Sequence, residues 1–461
     1  MKKSAYVQQL DAINEYEFSP VPPEKHKGWK SFLGMYAGEH TAGTEFVIGP
    51  LFVVHGVSAI DLITGLLVGN VLAVFSWAFL TAPVATKTRL TLYALLEKIT
   101  GKGLVKVYDV VNGLMFCFLA GSMIAVSASA IGIPFKIAMP GLADWYPTGI
   151  GWVLIVFVVG AIITLIATLG YNQVSKFANI TAPWMILIFI AAAVAVLPQL
   201  GIYSIQDFWH VAQTKIWTGI PLEGQSKFTF WHIMFFAWFC NMAMHIGMAD
   251  ITILRYAKKW QYGFASFGGM FLGHFIAWIA SGILCAAALG NIVPGPIAYT
   301  SAGIAGIICV VLAGWTTANP TIYRAGLAFQ AIFPKTKRWK VTIIVGIITT
   351  MAACFPALVM KLLDFVALYG LVLMPMGAVI IIDIYVLKKL NMASNYAQFK
   401  NIPISWQAAG AWVITLIFCL ALNVYLGVDI FFLGLPGWFI AAGLYIILSK
   451  LIQSKNINYA H

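Results

Sequence analysis

Long apolar runs separated by short polar connections make up most of this chain. Twelve runs have about the 20 residues that a helix needs to cross a bilayer. Several contain Gly or Pro, so tilted or interrupted helices are expected. The pattern predicts an all-α polytopic membrane protein with twelve transmembrane helices, at roughly 31–55, 57–82, 106–132, 150–170, 178–200, 229–250, 262–290, 298–330, 341–358, 362–387, 406–426 and 430–450.

The amino-acid composition is that of a protein embedded in a lipid bilayer. Hydrophobic residues make up 61% and charged residues 10% of the sequence, and the mean hydropathy is +0.87. These values exclude a water-soluble globular protein. Little chain remains for an extramembrane domain, so we expect one membrane domain between a polar N-terminal tail, 1–30, and a C-terminal tail, 451–461. The tail at 1–30 does not resemble a signal peptide.

The formal net charge of +12 reflects topology rather than nucleic-acid binding, because the basic residues lie in short connections between apolar runs. With twelve spans, 24 of the 28 Lys and Arg residues, Arg324 among them, fall on the side of the N-terminus. The positive-inside rule then places both termini in the cytoplasm of a cell whose inner (plasma) membrane holds the protein. Four residues remain on the other side: Lys136, Lys215, Lys227 and Lys361.

The first span contains polar groups that no lipid-facing helix carries. Residues 34–45 read GMYAGEHTAGTE, in which Glu39, His40, Thr44 and Glu45 alternate with three glycines. Ionisable groups inside a bilayer are costly and usually functional. Glycines weaken a helix, and an interrupted helix presents free carbonyls and helix ends to an ion or substrate. The alternative, a set of ion pairs in water at the rim of the span, stays open, above all for Glu45.

Two further segments carry polar groups at mid-membrane. In the sixth span, Asn241 and His245 lie one turn apart and share a face, at the position equivalent to the first span if the chain is an inverted repeat. In the eighth span, Thr316 and Thr317 follow Gly314 and precede Asn319 and Pro320.

The threonine hydroxyls of the eighth span and the carbonyls loosened by Gly314 and Pro320 are oxygen ligands that suit Na⁺. The alternative is that both hydroxyls donate hydrogen bonds to carbonyls of their own helix. Histidines outside these segments, His232 and His274, are expected to be packing residues. The six cysteines lie in apolar runs without CxxC spacing, so we expect buried thiols rather than disulfides or a metal site.

Three passages resemble the nucleobase:cation symporter-1 family of hydantoin, cytosine and purine permeases. They are WTTANP at 315–320, DITILRYAK at 250–258, which has one extra residue before the Arg, and DIYVLKK at 383–389. The resemblance implies a leucine-transporter-like 5+5 inverted repeat plus two C-terminal helices. The repeats would occupy 31–200 and 229–387, and the accessory helices 406–450.

The resemblance also implies a sodium site and a substrate pocket. The Na⁺ ligands would be backbone carbonyls near His40 and Gly43, the carbonyl of Ala313, and the hydroxyls of Thr316 and Thr317. The pocket would hold a flat heterocycle between the third, sixth and eighth spans, near Phe116 or Met115, between Leu119 and Ser122, and at Trp238, Asn241, Asn319 or Tyr323. The polar clusters add Glu39, His40, Thr44 and His245 to these candidate substrate residues.

Two departures from the family leave the substrate open. Met115, Leu119 and Asn241 stand where the family places stacking aromatics and a glutamine, and a neutral nucleobase does not need the carboxylates of the first span. Carboxylates there suit an amine-bearing substrate, or a proton-coupled cycle in which Glu39 or Glu45 is protonated.

The sequence therefore predicts a cation-coupled symporter, with Na⁺ as the coupling ion, for a small nitrogen-containing heterocycle such as a nucleobase or vitamin precursor. A proton-coupled carrier of an amino acid or amine on the same fold is the alternative. An enzyme is disfavoured, because HExxH, GxSxG and P-loop motifs are absent from the sequence, and no organic cofactor is expected. An open channel is disfavoured by the paired interrupted helices.

Overall fold

The computed structural model describes residues 5–141, 144–288, 294–360 and 362–454. Within these ranges the chain is helical, and its only extended pairings are two isolated bridges. Lys361 and the ends of both tails, 1–4 and 455–461, lie outside the described residues.

Among the described residues, nine helices are long and apolar enough to cross a membrane. They correspond to nine of the twelve predicted spans, namely spans two, three, four, five, seven, eight, ten, eleven and twelve. Their bounds are Ala59–Thr88, Lys102–Gly132, Ile150–Thr168, Tyr171–Leu200, Trp260–Ala287, Ala302–Ile332, Ala367–Leu390, Trp406–Leu426 and Ile430–Gln453. The predicted all-helical membrane architecture is confirmed.

The other three predicted spans are shorter or interrupted. The first span consists of two helices, Trp29–Glu39 and Glu45–Val54. The sixth consists of Phe230–Phe239 followed by two short helices, Met242–His245 and Ile251–Leu254. The ninth is the 16-residue helix Arg338–Ala353. A count of twelve membrane crossings therefore stays a prediction.

The glycines of the first span have two different roles. Residues 40–44, which include Gly43, form turns rather than helix and separate the two half-helices. Gly34 lies within the first half-helix, where it allows close packing. A Cβ there would lie 2.5 Å from the Cγ of Asn179 in the fifth span. The expectation that all three glycines unwind the helix was therefore wrong for Gly34, and Gly38, also helical, packs in the same way against Ala178.

The seventh span covers the interruption of the first. It contains a π-helical segment, Gly268–Phe275, and a Cβ on Gly273 would lie 2.7 Å from the carbonyl carbon of His40. Such a distance leaves no room for a side chain, so the glycine lets one backbone pack directly on the other. This contact fixes where the interrupted segment lies.

Replacing Gly273 with Ala should therefore destabilise the protein. The added methyl group would push against backbone atoms, which cannot move aside as a flexible side chain can, and overpacking of this kind costs about 1–3 kcal/mol. Thermal unfolding of the purified protein in detergent measures the effect. Gly443→Ala is the matched control, because a Cβ at Gly443 meets no atom within 4 Å and helix propensity favours Ala. Equal melting temperatures for the two variants would contradict the packing argument.

Candidate functional site

Both interruptions line one cavity in the interior of the helix bundle, with a volume of about 90 Å³. An ordered water needs roughly 10–15 Å³ on this measure, so the cavity has room for several waters or a small molecule. Its walls come from spans one, three, six, seven, eight, ten and twelve. The polar residues that line it are Glu39, His40, Thr44, Glu45, Cys240, Asn241, His274, Thr317 and Tyr369.

Five of the residues predicted from the sequence lie at this cavity: Glu39, His40, Thr44, Asn241 and Thr317. Asn241 stands at the break in the sixth span, with φ −109° and ψ 27°, and its amide donates to the sulfur of Cys240 at 3.3 Å. The prediction that polar segments of the first and sixth spans share one site agrees with this placement.

Three other predicted residues have their polar atoms directed elsewhere. Trp238 donates its indole N–H to Ser76 of the second span at 2.9 Å. His245 places its Nε2 2.9 Å from the Trp238 carbonyl. The hydroxyl of Tyr323 donates to Glu15 of the N-terminal tail at 2.8 Å. A one-turn spacing places residues on the same helix face, but the interruption at Asn241 turns His245 away from that face.

The remaining predicted substrate residues are buried behind the cavity wall. Ser122 donates its hydroxyl to the Leu119 carbonyl at 2.8 Å. The ring of Phe116 lies 5.4 Å from that of Tyr369 and 6.0 Å from the guanidinium of Arg324. Asn319 is fully buried, and its amide has no hydrogen-bond partner among the described protein atoms.

The first and eighth spans meet where the first span is interrupted. The hydroxyl of Thr317 donates to the backbone carbonyl of Glu39 at 2.9 Å and lies 3.2 Å from the carbonyl oxygen of Ala313. A Cβ on Gly43 would lie 3.8 Å from the Gly314 amide nitrogen. Carbonyl and hydroxyl oxygens of both spans are thus close together, which is the donor set that Na⁺ requires.

Thr316 has a different environment from Thr317. Its hydroxyl lies 3.1 Å from the carbonyls of Leu312 and Ala313 in its own helix and 3.6 Å from the sulfur of Met185. Thr316 therefore follows the alternative interpretation, in which the hydroxyl bonds to its own helix. The carbonyl of Ala313 is the one predicted ligand that both hydroxyls reach.

A buried charge cluster lies beside this junction, and the sequence did not predict it. Arg324 of the eighth span donates to both carboxylate oxygens of Glu39, at 2.5 and 3.1 Å, and to Asp250 at 2.5 Å. Asp250 also accepts bonds from the Tyr36 hydroxyl at 3.0 Å and the Trp77 indole at 2.7 Å. Counting Arg324 among the loop cations was wrong, since only 1% of its surface is exposed.

The cluster carries net negative charge when its groups are ionised, because two carboxylates share one guanidinium. The first half-helix ends at Glu39, so the negative end of its dipole adds to this charge. The region between Glu39 and Thr317 is therefore electrostatically suited to a cation.

Glu45, which the sequence left open, lies in the interior rather than at a wet rim, with 2% exposure. It accepts a bond from the Trp278 indole N–H and one from the Thr44 hydroxyl at 3.3 Å. The Nε2 of His274, expected to be a packing residue, lies 3.7 Å away. Glu45 is the first residue of its half-helix, and the positive end of the helix dipole stabilises a carboxylate there by at most about 2 kcal/mol. Removing the carboxylate from water costs several kcal/mol, so the dipole offsets only part of that cost.

The N-terminal tail seals one end of the bundle through Glu15, which is buried. Its carboxylate accepts bonds from the hydroxyls of Tyr256 and Tyr323, at 2.9 and 2.8 Å, and from the Tyr171 amide at 3.2 Å. Its backbone carbonyl accepts a bond from Arg255 at 2.6 Å. One residue of the tail thus joins the fifth span, the eighth span and the chain that follows the sixth.

Replacing Arg324 with Gln should destabilise the protein by about 3–5 kcal/mol, because Glu39 and Asp250 would be left buried without a cation. Arg324→Lys should cost less, since the charge is kept and only the two-pronged geometry is lost. Chemical and thermal unfolding in detergent measure both, with the exposed Lys337→Gln as the control.

Adding Glu39→Gln to Arg324→Gln should recover part of the loss, because one uncompensated charge is removed. A double variant whose loss equals the sum of the two single losses would show that Glu39 and Arg324 do not interact.

Comparison with protein-family models and with curated protein sequences gives no match. Solved structures are similar over nearly the whole chain. Mhp1, a nucleobase-cation-symport-1 family transporter, in a closed conformation with bromovinylhydantoin bound, has a TM-score of 0.73 at 15% identity, with 96% of each chain covered. Its inward-facing conformation has a TM-score of 0.72 at 14% identity, covering 95% of this chain and 93% of that chain.

A Na⁺-coupled sialic acid symporter in a substrate-bound outward-open state has a TM-score of 0.69 at 15% identity, covering 97% of this chain and 94% of that chain. At such low identity the likeness concerns the fold. The chain therefore has the leucine-transporter-like fold of these symporters, as its sequence predicts, and shares that fold with a member of the nucleobase-cation-symport-1 family.

Proposed function

We propose that the protein is a secondary active symporter that uses a Na⁺ gradient to take up a small nitrogen-containing substrate. One observation carries the proposal: the Thr317 hydroxyl donates to the Glu39 carbonyl at 2.9 Å, where the first span is interrupted beside the cavity. The fold shared with a nucleobase-cation-symport-1 transporter and a Na⁺-coupled sialic acid symporter supports it.

Na⁺ would bind between the first and eighth spans. The carbonyls of Glu39 and Ala313 and the hydroxyl of Thr317 supply oxygen atoms there, with the carbonyls of His40 and Gly43 close by in the chain. An ion bound here would turn the Thr317 hydroxyl from a donor to Glu39 into a ligand. The negative charge of the Arg324 cluster favours the ion, whereas a neutral interior would not.

The substrate would bind in the adjacent cavity. Rings of Phe236, Phe239 and Trp278 and the amide of Asn241 line it, which suits a small flat molecule that carries hydrogen-bonding nitrogen. Because Glu39 and His40 belong to both sites, an ion that orders this segment also completes the substrate pocket. Such coupling is typically worth about 1–3 kcal/mol in each direction.

Alternating access would follow from movement between two five-helix halves, 31–200 and 229–387, with 406–450 as accessory helices. We place the protein in the cytoplasmic (inner) membrane with both termini inside, because of the distribution of its Lys and Arg residues. On that orientation, the contacts of Glu15 close the cytoplasmic side and have to break when the cavity opens inward.

Thr317→Ala should weaken Na⁺ binding by about tenfold or more. Interactions of a polar side chain with a charged partner are worth about 1.5–3 kcal/mol, and 1.4 kcal/mol is a tenfold change. The measurement is the Na⁺ concentration at the midpoint of thermal stabilisation, with K⁺ keeping the ionic strength constant. Thr316→Ala is the control and should shift this midpoint much less, because its hydroxyl bonds to its own helix. Identical midpoints for both variants would refute the assigned ion site.

Glu15→Ala should make the cavity more accessible from the cytoplasm. Loss of the bonds from Tyr256 and Tyr323 removes about 1 kcal/mol or more, which corresponds to roughly fivefold or more open molecules. Cys240 lines the cavity, so the other five cysteines are replaced by Ala and the rate of its labelling by a membrane-impermeant maleimide is measured in inside-out vesicles.

The control for this experiment is Glu24→Ala, which removes an exposed carboxylate from the same tail. Its labelling rate should equal that of the parent. If Glu15→Ala also labels at the parent rate, the tail does not hold the cytoplasmic side closed.

A further inference from the structure

We propose that the Glu45 carboxylate is the counter-ion for a protonated amine on the transported substrate. The inference rests on the proposed transport function and specifies the substrate class: a small ring compound that carries a primary ammonium group, rather than a neutral nucleobase.

The two carboxylates at the cavity differ in their partners. Both oxygens of Glu39 accept bonds from Arg324, so Glu39 already faces a cation that it shares with Asp250. Among the described residues, Glu45 accepts bonds from the Trp278 indole and the Thr44 hydroxyl, and the Nε2 of His274 lies 3.7 Å away. Among the described residues that line the cavity there is no Lys or Arg.

A buried carboxylate without a cation is costly, and the positive end of its half-helix offsets only part of that cost. A neutral substrate would displace water from the cavity without compensating the charge. An ammonium group would compensate it, and so the same cavity selects for amines and against neutral molecules of equal shape.

His40 supplies a second acceptor at the cavity. Its Nδ1 lies 2.8 Å from the Tyr36 carbonyl, and since a carbonyl only accepts, Nδ1 carries the hydrogen. In the uncharged ring, Nε2 is then a bare acceptor, and this buried atom has no hydrogen-bond partner among the described residues. The His40 ring lies 4.8 Å from that of His274, next to Glu45. An ammonium group has three N–H donors, which Glu45, His40 and the Thr44 hydroxyl could accept.

Aromatic rings complete the environment of the amine. The Trp278 ring stacks on His274 at 4.2 Å and lies 5.8 Å from Phe236, and both line the cavity with Phe239. Aromatic faces attract cations and pack against flat rings. The walls therefore suit the ring of the substrate and its charged group together.

The test compares pairs of probes of nearly equal shape, of which one carries an ammonium group and the other a neutral hydroxyl. Benzylamine is paired with benzyl alcohol, and aminomethylpyrimidine with hydroxymethylpyrimidine, in thermal unfolding of the purified full-length protein with Na⁺ present. We expect stabilisation by the amines alone. Glu45→Gln should weaken amine affinity by roughly tenfold or more, whereas Glu45→Asp, which keeps the charge, should retain the preference for amines. Glu223→Gln, at an exposed carboxylate, should match the parent.

The wild-type protein alone can overturn the proposal, whether or not the Gln variant folds. Equal stabilisation by both members of each pair, or no stabilisation by any amine, would show that Glu45 is not an amine counter-ion. An amine affinity that is the same in folded Glu45→Gln and in the parent would have the same meaning. Binding of neutral members that depends on Na⁺ would leave the symporter proposal standing while the amine assignment fails, so the two failures are distinguishable.

Discussion

One guanidinium group, that of Arg324, links both interrupted helices. It lies in the eighth span and holds Glu39 at the end of the first half-helix and Asp250 beyond the break in the sixth span. In a low-dielectric interior these carboxylates would be prohibitively costly alone. The cluster therefore helps to hold the two interrupted helices together, and any movement of one relative to the other has to carry or reorganise it.

The same electrostatic reasoning gives Glu39 and Glu45 different roles. Glu39 is paired with Arg324 and contributes its backbone carbonyl to the junction with Thr317. Glu45, six residues further on, begins the second half-helix, and the described residues that line the cavity beside it include no Lys or Arg. An ion and a charged substrate can thus be bound by one short segment without competing for the same carboxylate. The backbone contact of Gly273 on His40 holds that segment in place.

Much of the architecture could be predicted because it follows from local pattern. Apolar runs of bilayer length fix the helices, and clustered polar residues in the first and sixth spans mark the interruptions. Local pattern cannot reveal which distant residues meet. Arg324 looked like a loop cation, and Tyr323 like a pocket residue, because nothing near them in sequence reveals their partners Glu39 and Glu15. Thr316 and Thr317 are chemically identical neighbours, and only the packing of the eighth span on the first distinguishes them.

The tail contact at Glu15 has a consequence for the resting transporter. The bonds that it accepts from Tyr256, Tyr323 and the Tyr171 amide join the tail to this end of the bundle, so their free energy is a bias against any movement that separates the two. Every 1.4 kcal/mol of that bias lowers the fraction of spontaneously open molecules tenfold. A transporter that rests with this end closed loses little of its ion gradient through leak that is not coupled to transport. An N-terminal truncation that removes residue 15 would increase this leak while leaving the binding site intact.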